Sequence, residues 1–349
     1  EQEFPFEIFR KLGELGLTGI IFPPEYGGAG LATVEYAIIV EEIARVDPGV
    51  ALSVAAHNSL ACNHIFLAGT EEQKRKYLVP LAKGEKIGTW SLTEPTAGSD
   101  AGGTKTKAEK DGDHFVLNGS KTFATHGSVA DIAIVFGVTD PAAKHRGISA
   151  FILEKGMAGF RPGKKENKMG CRASDTAELA MEDCRVPRSQ LLGREGEGFR
   201  DAMRVLDGGR ISIAAMAVGT AQGALEAAVK YARQRQQFGR AIAEFQAIQF
   251  LLADCATEIE AARWLTLRAA HMKDQGQDVN KAGAIAKLYA SETAVRVTDK
   301  AIQIHGGYGY MKEYPIERDV RDSIASTLGG GTSEIQRMII ARELLKMYD

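Results

Sequence analysis

Apolar positions along the chain change their spacing twice. Up to about Ile87 they recur at helical intervals, with Phe9, Leu12, Leu15 and Leu17 opening an apolar stripe. Asp47-Pro48 reads as an N-cap followed by proline at the first helical position, opening a helix that runs towards Leu60. A further helix is expected from Glu71 to about Val79, with Tyr77 and Leu78 inward and Pro80 as its stop. From Gly88 to about Leu192 β-type residues take over. Asp111-Gly112 and Asn118-Gly119 read as two hairpin turns, and residues 114–117, 122–125, 132–138 and 148–153 as strands. Beyond Gly198 long helical patterns return. Ile242, Phe245, Ile248, Leu252, Ile259 and Ala262 mark one helix, closed by Asp274-Gln275-Gly276. Ile285, Leu288, Val295 and Ile302 mark the next, which ends at His305-Gly306-Gly307. The last begins at Thr332-Ser333, where Ser333 and Gln336 make a capping box, and carries Ile335, Met338, Ile339 and Leu345. The expected fold is α+β, with an N-terminal α-helical domain over 1–87, a middle antiparallel β domain over 88–192 and a C-terminal helical domain over 193–349.

Composition narrows the class without naming a function. The 349 residues are 44% hydrophobic and 25% charged, which excludes a disordered chain. With 43 Lys+Arg against 45 Asp+Glu the net charge is −2, so charge gives no reason to expect nucleic acid or a membrane surface as partner. The most apolar stretch, 211–229, is broken by Gly219, Gln222, Gly223 and Glu226 and reads as a buried core helix, not a bilayer span. Glu1-Gln2-Glu3-Phe4-Pro5 carries no targeting signal and reads as an interior segment, so upstream residues are expected. Cys62, Cys171, Cys184 and Cys255 are scattered, which predicts reduced thiols, an intracellular setting and no metal site. Glycine is in excess, at 38 residues.

Common nucleotide and hydrolase signatures are missing: there is no G-x-G-x-x-G after a strand, no P-loop, no H-E-x-x-H and no G-x-S-x-G. Three polar, glycine-containing segments stand out instead. Residues 90–100 combine hydroxyls with small-residue amides, which suits either a planar heterocycle or phosphate, or simply a loop. Residues 233–240 gather cations at a helix end, for the dipole or for a pyrophosphate. Residues 303–310 are either a helix C-cap or a close backbone approach to a ligand.

Taken together, and in this order, the segments identify a resemblance to the acyl-CoA dehydrogenase family from about Glu7 to Leu345. It rests on Leu92-Thr93-Glu94-Pro95 with Ala97-Gly98-Ser99-Asp100, and on Leu206-Asp207-Gly208-Gly209-Arg210. Arg235 with Gln237-Phe238-Gly239, Gln303-Ile304-His305-Gly306-Gly307-Tyr308-Gly309 and Gly331-Thr332-Ser333-Glu334-Ile335-Gln336-Arg337 complete it. The resemblance implies a C-terminal four-helix bundle and a homotetramer built as a dimer of dimers. It also implies non-covalent FAD between the β domain and the bundle, an acyl-CoA ligand, and electron transfer flavoprotein as acceptor. Fatty acid or amino acid catabolism is the implied setting, in a bacterial cytoplasm or a mitochondrial matrix. Trp90, Leu92, Thr93, Ser99, Phe123 and Thr125 match flavin contacts on the β side, Phe123 standing where the family usually has Trp. Arg235, Gln237, Phe238, Gln246, Gln303, Gly306, Gly307, Thr332 and Ser333 match FAD contacts on the helical side. Ser99, Asp207, Arg210 and Gly331 match the thioester side.

The family's catalytic base is usually a Glu directly before Gly-Thr-Ser-Glu, and that position here is Gly330. A minority carries the Glu just before the Arg of the Leu-Asp segment, and that position is Gly209. Three readings follow: a silenced dehydrogenase that still binds acyl-CoA and FAD, a dehydrogenase using Glu94, Asp207, Glu313 or water as base, or a decarboxylase. The helix matching 47–60 has no Arg or Lys, with Ala51 where a cation would meet a second carboxylate, which points to an uncharged acyl group.

Overall fold

The computed structural model describes residues 2–347. Contacts divide the chain into two compact units, one comprising residues up to Ala32 with Ser53–Asn167 and Arg172–Gly209, the other Thr33–Leu52, Lys168–Cys171 and everything from Arg210.

The first unit contains α1 (Phe6–Glu14); α2 (Thr33–Ala44) belongs to the second. Asp47 caps α3 (Pro48–Ala56) as the Asp-Pro pair predicts, its Oδ1 accepting from Gly49 N at 2.8 Å and Val50 N at 3.1 Å. The chain runs on through a π-helical turn, His57–Cys62, into α4 (Asn63–Ala68). A capping box between Thr70 and Gln73 starts α5 (Glu71–Gln73), and a second π-helical turn, Lys74–Leu78, leads into α6 (Val79–Ala82). Pro80 therefore does not stop this helix. It falls in the first turn of α6, where a missing N–H is tolerated, and the widened turn before it relieves the clash of its ring with the preceding helix.

The sheet comprises β1 (Gly88–Ser91), β2 (Lys107–Asp111), β3 (His114–Thr125), β4 (Ile132–Val138), β5 (Ile148–Glu154), β6 (Phe160–Lys165), β7 (Thr176–Pro187) and β8 (Leu191–Leu192). Its order is β6-β7-β3-β2-β4-β5-β8, with β1 attached to β4. Pairing is antiparallel except where β1 and the first residue of β2 run parallel to β4. Side chains alternate by face. Ile132, Ile134 and Phe136 of β4 join Ile148 and Ile152 against Ile65, Leu78 and Leu81, while Ala133 and Val135 meet Phe115, Phe151, Leu153 and Leu179 on the other face.

The tight connection between β2 and β3 is Gly112-Asp113, one residue on from the expected Asp111-Gly112, since Asp111 pairs with His114, and Asn118-Gly119 is not a turn. Residues 114–125 form one strand, and a Cβ at Gly119 (φ 152°) would lie 2.5 Å from Thr106 Oγ1. The glycine serves close packing across the sheet, which outweighs the local turn preference.

The second unit takes up α7 (Gly198–Gln234) from Arg210 onward and continues with the two-residue strands β9 (Gln236–Gln237) and β10 (Arg240–Ala241), then α8 (Gln246–Asp274), α9 (Asn280–His305), α10 (Ile316–Leu328) and α11 (Ser333–Leu345). The glycines that interrupt the apolar run of α7 mark its approach to α2. A Cβ at Gly219 would stand 2.1 Å from Glu41 O, and one at Gly223 2.3 Å from Arg45 O. Arg263 of α8 closes the same face, its Nε donating to Glu41 Oε1 at 2.8 Å. The cap of α11 is Thr332, whose hydroxyl accepts from Ile335 N, in place of the expected Ser333–Gln336 box. Gln336 is drawn away because its amide donates to the carbonyls preceding the helix. The segment forming α10 carries no expected helix in the apolar pattern, and 242–244 is a 3-10 turn preceding α8.

Candidate functional site

In the first unit, the β-side residues converge on two adjoining segments. Trp90 on β1 donates from Nε1 to His64 Nδ1 at 3.1 Å and meets Phe136 edge-on. Burial pushes His64 down to about 3, so the ring is neutral, with Nδ1 as acceptor. Beyond β1, Leu92 is buried and Thr93 O accepts from Thr122 N at 2.9 Å. The pairing of β3 with β7 slips between Lys121 and Ala124, and in this bulge Phe123 takes φ 57° with its ring 66% exposed. A bulky residue in that conformation is strained, and strain of this kind gathers at ligand sites. Thr125 is half-buried at the end of the strand, while Ser99 is exposed in the loop after Ala97.

Glu94 is committed elsewhere. Its Oε1 accepts from Lys121 Nζ at 2.7 Å, Thr106 Oγ1 at 2.6 Å and Thr106 N at 3.0 Å, and its Oε2 from Lys105 N at 2.7 Å. Burial pushes the carboxyl up, but Lys121 and these donors together hold it below the usual range. A carboxylate so occupied is no free proton acceptor.

In the second unit, α7 ends next to a hairpin tipped by Phe238 (φ 52°) and Gly239 (φ 81°), and the Phe238 ring is 93% exposed. The Arg235 guanidinium lies 5.4 Å from the centre of the Tyr308 ring. Arg235, Gln237, Gly306 and Gly307, distant in sequence, line one cavity of about 470 Å³ together with Tyr231 and His305. His305 stacks on Tyr231 at 4.3 Å, and its Nδ1–H donates to Ala301 O. Gln246 and Gln303 are exposed, at the first turn of α8 and the last turn of α9, and are not among the residues lining that cavity.

Gly329-Gly330-Gly331 joins α10 to α11, with Gly330 at φ +70° and Gly331 at φ +93°. Its carbonyls are held from two sides: Lys287 Nζ donates to Gly331 O at 2.7 Å, and Gln336 Nε2 donates to Gly330 O at 3.1 Å and Gly331 O at 2.9 Å. Lys287 is fully buried, and burial, with Arg210 adding repulsion, lowers it to about 8. Arg210 is itself buried and donates to Asn280 Oδ1 at 2.9 Å. A Cβ at Gly330 would meet Ile213 Cγ1 at 3.6 Å, so a side chain has room there. Asp207 sits half-buried on α7, and a Cβ at Gly209 would touch Leu60 Cδ2 at 3.3 Å.

The α11 N-terminus opens on a second cavity of about 400 Å³, lined in part by Arg296, Thr327 and Ser333. Ser333 Oγ is buried there with no hydrogen-bond partner among the described residues. Free amides and an unspent hydroxyl at a helix N-terminus suit an anion, although Glu292 and Glu334 share the lining and the Arg296 guanidinium is already paired with Glu258 at 2.6 Å. Lys287 escapes the motif reading, and Gln336 entered it only as a motif member and capping partner, not as a donor to Gly330 O and Gly331 O. The only sequence signal for these donor roles is a polar residue on an inward helix face, Lys287 lying among buried Ala284, Ala290 and Ser291.

Family models place the chain. The acyl-CoA dehydrogenase N-terminal domain matches residues 1–85, the middle domain 89–184 and the C-terminal domain 196–345. A short-chain specific acyl-CoA dehydrogenase of Clostridium acetobutylicum is 49% identical over 99% of this chain and 91% of that protein. The solved structure of butyryl-CoA dehydrogenase from Megasphaera elsdenii superposes with a TM-score of 0.97 at 48% identity, covering 99% of this chain and 91% of that one. A chain of the structure described as the electron transferring flavoprotein of Acidaminococcus fermentans gives 0.96 at 52% identity, covering 97% and 89%. With all three domains matched and relatives about half identical along its whole length, the chain belongs to the acyl-CoA dehydrogenase family.

Proposed function

We propose that the protein binds FAD and a short, uncharged acyl-CoA, and that it is an oxidoreductase of its family lacking the usual side-chain base. The observation that carries this reading is Gly330, at the base position, in a loop whose carbonyls are held by the donors Lys287 and Gln336. When bound, FAD supplies the hydride acceptor. The chain's own residues supply the rest. The exposed Phe123 ring offers an apolar face beside the Leu92–Thr93 backbone. Arg235, with Gln237 and the Gly306-Gly307 backbone, offers a cationic cradle of a size and polarity suited to part of a dinucleotide. Thr332 and Ser333 at the α11 N-terminus suit a phosphate oxygen.

Without a carboxylate at residue 330, proton removal from the acyl α-carbon is left to Asp207, Glu313 or water, and a missing positioned base lowers such a step by about 10²–10⁴. Glu94 is withdrawn from that role by its four donors. The start of α3 carries no cation, so a second carboxylate on the acyl group finds no partner there and the decarboxylase reading gains no support. The match to the A. fermentans structure supports an electron transfer flavoprotein as redox partner. Exposed Phe238, Phe250 and Trp264 support a homotetramer, whose subunits would cover them.

The test is the flavin spectrum. Protein reconstituted with FAD should be yellow, and anaerobic butyryl-CoA should shift the visible band while bleaching it very slowly. A protein that stays colourless refutes FAD binding. Bleaching as fast as in a carboxylate-bearing relative refutes the missing-base reading.

A further inference from the structure

Lys121 and Glu94 form a fully desolvated ion pair, with 0% and 4% of their side chains exposed, at 2.7 Å. Buried pairs are weak devices for stability, since apolar residues of similar volume often do as well. A buried pair of full charges among strands whose other buried polar side chains include Thr89, Ser91, Thr122, Ser149 and Thr176 calls for a different account.

The topology supplies one. Trp90 lies on β1, which pairs with β4 in parallel register from Gly88↔Ile132 to Ser91↔Val135, and Leu92 and Thr93 follow just beyond that ladder. Phe123 and Thr125 lie on β3, which pairs with β2 and β7. No strand ladder sets the register between these two segments. The links that cross beside Thr93 are Thr122 N to Thr93 O and the Lys121 ammonium, which reaches Leu92 O at 3.4 Å as well as Glu94, while His126 Nδ1–H donates to Gly88 O at 3.0 Å at the far end of β1.

Glu94 extends the tie to a third segment through Lys105 N, Thr106 N and Thr106 Oγ1. It also closes the following loop through reciprocal backbone bonds with Ala97, each at 3.1 Å. Thr106 in turn packs against Gly119 on β3, where any Cβ would clash. The network thus straddles the strand just before the Phe123 bulge, where the ladder is least able to fix position.

We propose that the Glu94–Lys121 pair is a positioning device which sets the register of the Trp90–Thr93 segment against the Phe123 bulge, and so preforms the frame that receives the flavin ring. This rests on the FAD reading above. Both residues act through the backbone they hold, not by touching the ligand.

A double substitution separates positioning from stability. Lys121→Met alone strands a buried carboxylate, and should lower both the apoprotein melting temperature and FAD affinity. Adding Glu94→Leu should return most of the melting temperature, because an apolar pair replaces the ionic one. FAD affinity, by titration of flavin fluorescence, should stay about tenfold or more below wild type, and the bound flavin's visible band should lose its fine structure. Glu94→Gln, which keeps volume and one acceptor for Lys121, is the milder second variant and should lose affinity by about threefold or more.

A double variant that regains stability and binds FAD with wild-type affinity and spectrum overturns the positioning role. So does Glu94→Gln with unchanged affinity and spectrum, should the double variant not fold. Wild-type protein that takes up no FAD overturns the flavin reading itself, and this proposal with it, and that failure is visible before any variant is made.

Discussion

Placing a carboxylate in the loop before α11 is the sharpest perturbation this fold offers. Gly330→Glu places a side chain where the nearest atom, Ile213 Cγ1, lies 3.6 Å from the new Cβ, an ordinary contact. The penalty is conformational. At φ +70° a residue with a Cβ sits in the left-handed region, which costs about 1–2 kcal/mol. For a helical unit of this size that corresponds to a fall in melting temperature of about 2–8 °C.

Against this stands the chemistry. A positioned general base is worth about 10²–10⁴ in rate. The new carboxylate would lie one residue from the carbonyl that Lys287 holds, with Arg210 near that lysine. Two cations close by lower a carboxyl's pKa and weaken it as a base, so the gain should fall in the lower half of that range. The assay is anaerobic stopped-flow reduction of the bound flavin by butyryl-CoA, with Gly330→Ala as control. Alanine should reproduce the loss of stability without the gain in rate. If Gly330→Glu destabilises as alanine does yet reduces flavin no faster, residue 330 is not where the α-proton is taken.

Other outcomes follow from the same geometry. Lys287 titrates at about 8 against an ordinary value of 10.5, so the unfolded chain binds more protons between those limits and folded stability rises with pH across that window. Urea midpoints of Lys287→Met, measured from pH 7.5 to 10.5, should therefore lack this rise relative to wild type; parallel curves would refute it. Gly219→Ala should destabilise by about 1–3 kcal/mol, because its Cβ would strike the Glu41 carbonyl of α2; an unchanged melting temperature would show that α2 can shift. Phe123→Gly relieves a left-handed phenylalanine, so apoprotein stability should hold or rise slightly while FAD affinity falls; equal losses in both would mean the ring serves the fold alone. Arg235→Ala should raise the FAD dissociation constant by roughly 10- to 100-fold, the worth of a charge-assisted hydrogen bond, as read by equilibrium dialysis.

What could be read from the sequence divides along the range of the forces involved. The cap at Asp47-Pro48 was legible because its donors lie two and three residues away. The strands at 132–138 and 148–153 were legible because near-continuous runs of β-branched and aromatic residues suit strands buried on both faces. Asn118-Gly119 misled because a turn preference is local, while the atom that demands glycine there, Thr106 Oγ1, arrives from another strand. Pro80 misled because a widened helical turn can absorb it.

The cavity residues Arg235, Gln237, Gly306 and Gly307 were legible only as motifs held in common with a family, and the fold brings them together. The two buried lysines were not legible at all. Whether a cation is buried depends on acceptors 27 residues away for Lys121 and 44 for Lys287, and no short-range pattern records them.

The close seam of α2 against α7 and α8 has a consequence for how the chain is made. Although α2 is among the first segments to leave the ribosome, Glu41 must wait for a partner 222 residues downstream. At synthesis rates of 5–20 residues per second that is a delay of roughly 10–40 s. Until α7 emerges the inner face of α2, with Tyr36, Ala37 and Val40, lacks the helices of its own unit that close on it, and until α8 emerges the seam is only half made. Chaperone occupancy on nascent chains should therefore persist until α8 has emerged, and a chain truncated after the sheet should be far less soluble than its own β core would suggest.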